Sequence, residues 1–199
     1  MAELALDDLV ANHTMSAAMA ATLRRVVEAH QSYLVIALPR LAGKSTVGKA
    51  MLAIARQKRW PIRELGADGT DVDALAREAR GGYLYVPEVS RYPVTEGYVW
   101  GAPARAAFAA IKDGTALSTA LHADSAEDAL RILRANRVPP DDLRRLDLIV
   151  HIRSLGDWQE PTRRVVADVN ELVDGELRVL HRWDEKTDRF EEVAKPTSF

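Results

Sequence analysis

The sequence predicts a mixed α/β fold built on a mostly parallel sheet, and three observations carry that expectation. Short apolar runs alternate with segments of helical periodicity from residue 33 to residue 134, the rhythm of parallel strands joined by crossover helices. A Gly-Lys-Ser-Thr segment, Gly43 to Thr46, stands where one apolar run gives way to a helical stretch. After Pro139-Pro140 the texture changes to strands joined by short polar turns such as Asp174-Gly175, which reads as an antiparallel meander.

Taken in order, residues 4–10 and 16–29 carry apolar positions at helical spacing, with Thr14 or Ser16 available as an N-cap. Residues 33–37, Tyr-Leu-Val-Ile-Ala, read as a buried strand, and residues 39–43 break the pattern. Helical spacing resumes over 44–57, with Val47, Ala50, Met51 and Ile54 on one face. A short strand over 61–65 and a helix over 71–80 follow, and Gly81-Gly82 lead into a second buried strand at 83–86. Residues 103–112 are expected to be helical, 116–121 extended, and 125–134 helical, with Ser125 as cap and Asp128 three residues on. The meander strands fall at 148–152, 164–172 and 177–183, and they could extend the main sheet or fold over one of its edges. Residues 194–199 are expected to fray. The domain reading is an opening helical segment over 1–32, one core over 33–193 and a tail over 194–199.

Composition narrows the function classes. With 47% hydrophobic and 28% charged residues in 199, the chain can bury a substantial core. A net charge of -2 gives no basic field that would advertise nucleic acid as a partner. The absence of cysteine removes disulfide frameworks, thiolate catalysis and Cys-based zinc sites. Acidic residues Glu3, Asp7 and Asp8 open the chain where a signal peptide would be basic, and no apolar stretch is long enough to cross a bilayer, so the expected setting is cytoplasmic. His13, His30, His151 and His181 show no helical pairing or acidic partner at ligand spacing, and are read as structural or exposed. Arg131, Arg134, Arg137, Arg144, Arg145 and Arg153 form a basic concentration, read as a solvated face or as a source of an arginine finger.

The chemistry is expected at Pro39, Arg40, Leu41, Ala42, Gly43, Lys44, Ser45 and Thr46. At a strand-to-helix turn, backbone N–H groups converge on an anion and the helix dipole favours negative charge, so phosphate is the natural ligand. Lys44 would reach the terminal phosphates of ATP, and the Ser45 hydroxyl would complete the shell of a magnesium ion. The full phosphate-loop pattern has a glycine where this chain has Leu38, and Arg40 and Leu41 replace small residues. A side chain forced to positive φ costs ~1–3 kcal/mol, which predicts a distorted loop. Glu88, closing an apolar strand, can orient or deprotonate a water near the metal and γ-phosphate, and so is a candidate both for catalysis and for water-mediated metal binding.

Residues 114–130, Gly-Thr-Ala-Leu-Ser-Thr-Ala-Leu-His-Ala-Asp-Ser-Ala-Glu-Asp-Ala-Leu, resemble the histidine box of the type II/IV secretion and type IV (Tad/Flp-like) pilus ATPases. His122 falls on the box histidine, whereas Thr115 and Ala120 depart from the pattern. Residues 6–29, 74–80, 83–89 (with Pro87-Glu88 in place of Gly-Glu), 147–151 and 164–172 are similar to other segments of the same motor domain, in the same order. For the aspartate box only Glu64 is a candidate. The resemblance implies a RecA-like P-loop NTPase core, Mg-ATP as cofactor, a γ-phosphate-sensing role for His122, and ATP hydrolysis coupled to pilin or protein translocation. It also implies partners: further copies or related ATPase chains, and an inner-membrane platform protein that would hold a cytoplasmic chain peripherally at the membrane.

Family members carry an N-terminal domain ahead of the motor and assemble as hexameric rings. Because fewer than forty residues precede the phosphate loop in this sequence, the expectation is a monomer or weak oligomer with feeble hydrolysis alone. Two other readings stand beside the motor. A degenerate nucleotide-binding or assembly module is favoured by Leu38 and Leu41; a small-molecule kinase explains neither the histidine box nor the meander.

Overall fold

The computed structural model describes residues 4–38, 41–66, 71–91, 96–157 and 159–199. Pro39 and Arg40 of the expected phosphate loop, and Trp158, lie outside the described residues. Two helices open the chain, α1 (Leu6–Ala11) and α2 (Ala17–Glu28), the second capped by Ser16 Oγ, which accepts from the Met19 amide. There follow β1 (Tyr33–Leu38), α3 (Lys44–Gln57), β2 (Ile62–Glu64), α4 (Val72–Glu78) and β3 (Tyr83–Val89). Next come a two-residue strand β4 (Tyr98–Val99), α5 (Ala102–Ala109) with a 3-10 turn behind it, β5 (Ala116–Leu121), α6 (Ala126–Ala135) and the short α7 (Pro140–Leu143). The chain closes with β6 (Leu148–Gly156), β7 (Pro161–Val173), β8 (Glu176–Asp184) and β9 (Arg189–Glu192).

All these strands join one sheet, in the order β2-β3-β5-β1-β6-β7-β8-β9, with β4 paired to the far end of β3. Strands β1 to β6 run parallel, and β6 to β9 antiparallel. The meander therefore extends the main sheet, because β7 pairs along the whole of β6, from Leu148 against Glu171 to Gly156 against Pro161. Strand β6 is thus both the last parallel strand and the first antiparallel one.

Pleating decides the two cores. Tyr33, Val35 and Ala37 of β1 face one side with Met19, Leu23, Val47 and Met51 of α2 and α3. Leu34 and Ile36 face the other, against Ala76, Phe108, Leu130 and Leu133 of α4, α5 and α6. The alternation of side chains across an extended strand thus makes β1 the shared wall of two apolar layers, giving a helix–sheet–helix sandwich. The turn into β3 depends on glycine: a Cβ on Gly82 would stand 1.9 Å from the Pro61 carbonyl oxygen, so only a bare Cα lets β3 enter beside β2.

The tail departs from expectation. Glu171, fully buried on β7, accepts from the Thr197 and Ser198 amides at 2.9 and 2.8 Å and from the hydroxyls of the same two residues at 3.1 and 2.7 Å. Phe199 packs against the α2–α3 core, so residues 194–199 are docked and not frayed. Position alone predicts fraying, whereas a buried carboxylate on β7, 26 and 27 residues earlier in the chain, gives the tail amides a partner.

Candidate functional site at the C-terminal ends of the strands

In an open α/β sheet ligands bind beyond the carboxyl ends of the parallel strands, and here three neighbouring strands each deliver one of the expected residues. Lys44 follows β1 at the first position of α3, Glu88 lies near the end of β3, and His122 follows β5. The Lys44 ammonium lies 3.1 and 3.3 Å from the two ring nitrogens of His122 and 3.6 Å from Glu88 Oε2. His122 Nε2 stands 2.9 Å from Glu88 Oε1. That approach satisfies distance but not direction, because Oε1 remains without a hydrogen bond although Glu88 is only 3% exposed. A buried carboxylate oxygen with spare acceptor capacity costs stability and marks a place where polar chemistry has been kept.

Backbone irregularity aims Glu88. The β3–β5 register runs evenly from Tyr83 to Val86, then shifts before Val89 meets Leu121. Pro87 within that shift has no amide to give to the ladder, and a bulge turns the following side chain out of the pleat. Glu88 pairs with Tyr98 of β4 instead. The Pro-Glu departure from Gly-Glu thus has a local structural consequence.

The loop before α3 is shaped by Gly43, the N-cap, at φ 104°. Of the departures from small residues in this loop, the distortion falls at Leu41 and not at Leu38. Leu38 is an ordinary extended residue paired with Arg153 on β6, and Leu41 takes the left-handed conformation at φ 65°. Leu41 is also 70% exposed, so its side chain gains no burial in return. Its carbonyl accepts from Arg164 Nε at 2.9 Å. Beyond Gly43 the amides opening α3 have no carbonyl of their own helix to meet.

Two cavities flank this loop. A small one, of about 120 Å³, is lined by Ala42, Gly43, Lys44, Ser45, Glu88, Tyr98 and His122. A larger one, of about 570 Å³, is lined by Gly43, Ser45, Thr46, Asn12, Thr14, Arg163 and Arg164, among others. Its far wall is fixed by the turn after α1: Val166 N donates to Thr14 O at 2.8 Å, and Arg163 donates to His13 O at 3.2 Å. Arg163 Nε is itself buried without a partner.

Of the residues expected from sequence, Leu41, Ala42, Gly43, Lys44, Ser45, Glu88 and His122 meet at the small cavity, and Thr46 lies on the larger one. Glu64 does not line either cavity: it is exposed on edge strand β2, level with Tyr85. Three members of the basic concentration are held by local acids, Arg131 by Asp128, Arg144 by Asp141 and Arg153 by Glu185. His151 does have an acidic partner, Asp168 at 2.8 Å, across the β6–β7 pairing rather than along the chain. Tyr98 and Arg164 went unread. A two-residue strand leaves no periodic signal, while the Arg163-Arg164 pair opening β7 is visible in sequence but not its reach to the loop.

No protein-family model matches the chain, and no curated protein matches it either. Solved structures do. The crystal structure of the VirB11 ATPase from the Brucella suis type IV secretion system, in complex with sulphate, is similar over 82% of this chain at a TM-score of 0.56 and 18% identity. The Legionella pneumophila ATPase DotB is similar over 82% at 0.51 and 17%. The chain spans about half the length of these two, 54% and 50% respectively. At such identity the likeness shows the fold alone: a mixed α/β domain with a mostly parallel sheet and antiparallel closing strands, shared with these two secretion ATPases and in agreement with the fold the sequence resemblance implies. Among the described residues no helix is long and apolar enough to cross a membrane, and no group of His, Asp and Glu gathers to hold a metal ion by itself.

Proposed function

We propose that this chain is a Mg-dependent ATPase core of the secretion type, which binds ATP at the ends of β1, β3 and β5 and couples its hydrolysis to translocation of pilin or secreted protein. The observation that carries this reading is the convergence of Lys44, Glu88 and His122 on one cavity beside the α3 N-terminus. The residues fit such a ligand. The amides at a helix start and a lysine favour phosphate, and the orphaned Glu88 Oε1 has capacity left for a water. When bound, Mg-ATP supplies the transferable phosphoryl group and a cation that offsets its charge.

The chain's own residues then divide the work. The α3 amides and Lys44 hold the phosphates, and the Ser45 hydroxyl is a magnesium ligand. Glu88 orients a water and takes its proton, and water also links it to the metal. His122 donates a ring N–H to the γ-phosphate side of the cavity. The larger cavity, within the usual range for small-ligand sites, takes the nucleoside. Leu41, Ala42, Gly43 and Ser45 line both cavities, and Thr46 lines the larger. A cytoplasmic setting, association with further copies or related chains, and docking on a membrane platform complete the proposal.

A second reading, a nucleotide-binding module without turnover, is favoured by one observation. Leu41 sits at positive φ where a working loop would place a smaller residue. Titration calorimetry with Mg-ATP, run beside phosphate release, separates the two. The motor reading expects saturable heat and release above background. Heat without release selects the module, and no heat with no rise in melting temperature ends both.

A further inference from the structure

We propose that Arg164 is a positioning residue for the phosphate loop: from β7 it holds Leu41 in the left-handed conformation that a glycine would adopt unaided. The inference rests on the nucleotide-binding reading for its functional consequence, but its structural content stands on the loop alone.

Left-handed backbone is uncommon for a branched apolar residue and persists only where its surroundings fix it. Leu41 has φ 65° and is 70% exposed, so burial of its own side chain does not fix it. What does touch the turn is Arg164. Its Nε donates to the Leu41 carbonyl at 2.9 Å, a hydrogen bond strengthened by the guanidinium charge. Its Cδ lies 3.1 Å from where a Cβ on Gly43 would stand, so the aliphatic stem lies against the bare face of the second left-handed residue. A single side chain therefore covers both positive-φ positions of the described loop.

The anchor is as firm as the loop is not. Arg164 pairs with Ser154 of β6, and β6 pairs with β1 up to Leu38 against Arg153. The residue that steadies the loop and the strand that launches it are thus rungs of one ladder. At Arg164 the β7 backbone is held by β6 alone, since β7 meets β8 only from Asp168 onward, so the bond ties the loop carbonyl to the same ladder that carries β1. The position is also next to the ligand cavities without blocking the smaller one, whose lining does not include Arg164.

The test is a double-mutant cycle on the full chain, read by calorimetry with Mg-ATP and by amide hydrogen exchange of residues 41–46 without ligand. Arg164→Met keeps the stem and removes the donor. It is expected to weaken Mg-ATP binding about tenfold, the loss of one charge-assisted hydrogen bond, and to speed exchange across the loop while the melting temperature holds. In a Leu41→Gly background the same Arg164→Met change is expected to matter less than about twofold, since glycine takes positive φ without help. An equal loss in both backgrounds would mean that Arg164 acts on the ligand or on the fold at large, and overturns the proposal. If the parent chain gives no heat with Mg-ATP, the nucleotide reading fails, and the loop is judged by exchange alone. Unchanged exchange in Arg164→Met then overturns this inference too, and faster exchange confined to residues 41–46 upholds it.

Discussion

Glu88 and Glu171 are buried in the same sheet at opposite ends, and the protein treats them in opposite ways. At the lower end, Glu171 is gathered in by two amides, two hydroxyls and Arg178 at 3.4 Å. Burial pushes its carboxyl up, but the Ser198 and Thr197 hydrogen bonds reverse this and hold it below the ordinary glutamate range. At the upper end, Glu88 keeps an oxygen with no hydrogen bond, beside a lysine and a histidine that reach it imperfectly. A carboxylate whose lone pairs are consumed by its own chain can only hold structure. One whose lone pairs are not consumed can engage something else. The contrast teaches where to look for chemistry in a fold with many buried acids: at incomplete satisfaction, not at burial.

The largest effect that would break this comparison is at Lys44. Lys44→Ala is expected to weaken Mg-ATP at least about 100-fold, because it removes a phosphate contact and leaves Glu88 buried beside an uncompensated site; near-parental affinity by calorimetry would place the ligand elsewhere. Next, Glu88→Gln should lower phosphate release by about 10²-fold or more with affinity and melting temperature near parental, since the amide keeps shape and loses the base. Glu171→Ala should do the reverse, costing about 1–3 kcal/mol in denaturant unfolding through the tail hydrogen bonds it strands, with little change in affinity. If Glu88→Gln destabilised and Glu171→Ala did not, the roles of the two ends would have to be exchanged.

The smallest effect sharpens the lower end. Asp147, whose carboxylate accepts from the Ser32 amide at 2.7 Å, is pushed by burial up to about 6. A raised folded pKa contributes stability that is present in full below the unfolded value of 3.8 and is lost as pH rises through about 6. Glu171 has the opposite sign: its lowered pKa contributes stability above 4.5 that is lost in more acid solution. Asp147→Asn retains an acceptor for Ser32, so unfolding free energy measured from pH 7 to pH 4 should lose its rise toward acid while the fall below pH 4 remains. A profile identical to the parent would remove Asp147 from the account.

Much of the upper end was legible in the sequence because local signals there agree. Helix α3 begins and ends where its apolar spacing predicted, and Lys44, Glu88 and His122 each sit at the end of a strand whose apolar run announces it. What stayed hidden was long-range or very short. No periodicity marks β4, α7 or β9, which have two to four residues each. Whether the meander joined the sheet depended on pairing between β1 and β6, more than a hundred residues apart, which composition does not encode. The sequence predicts a distorted loop from Leu38, Arg40 and Leu41 without saying which of them bends; the β1–β6 ladder holds Leu38 extended, and Leu41 takes the positive φ. Arg164 could not be found without that ladder.

The sheet's two margins limit how this molecule can polymerise. On one side β3 is flanked by only three residues of β2 and two of β4, with Pro87 between them offering no donor. On the other, β9 is four residues long and carries Arg189, Glu191 and Glu192. Short, charged or proline-interrupted margins are poor templates for strand addition. Among the described residues, then, neither margin invites a second copy to continue the sheet, and contact between copies falls to side-chain surfaces. A ring or stack held only through such faces would form and part with every backbone ladder left intact.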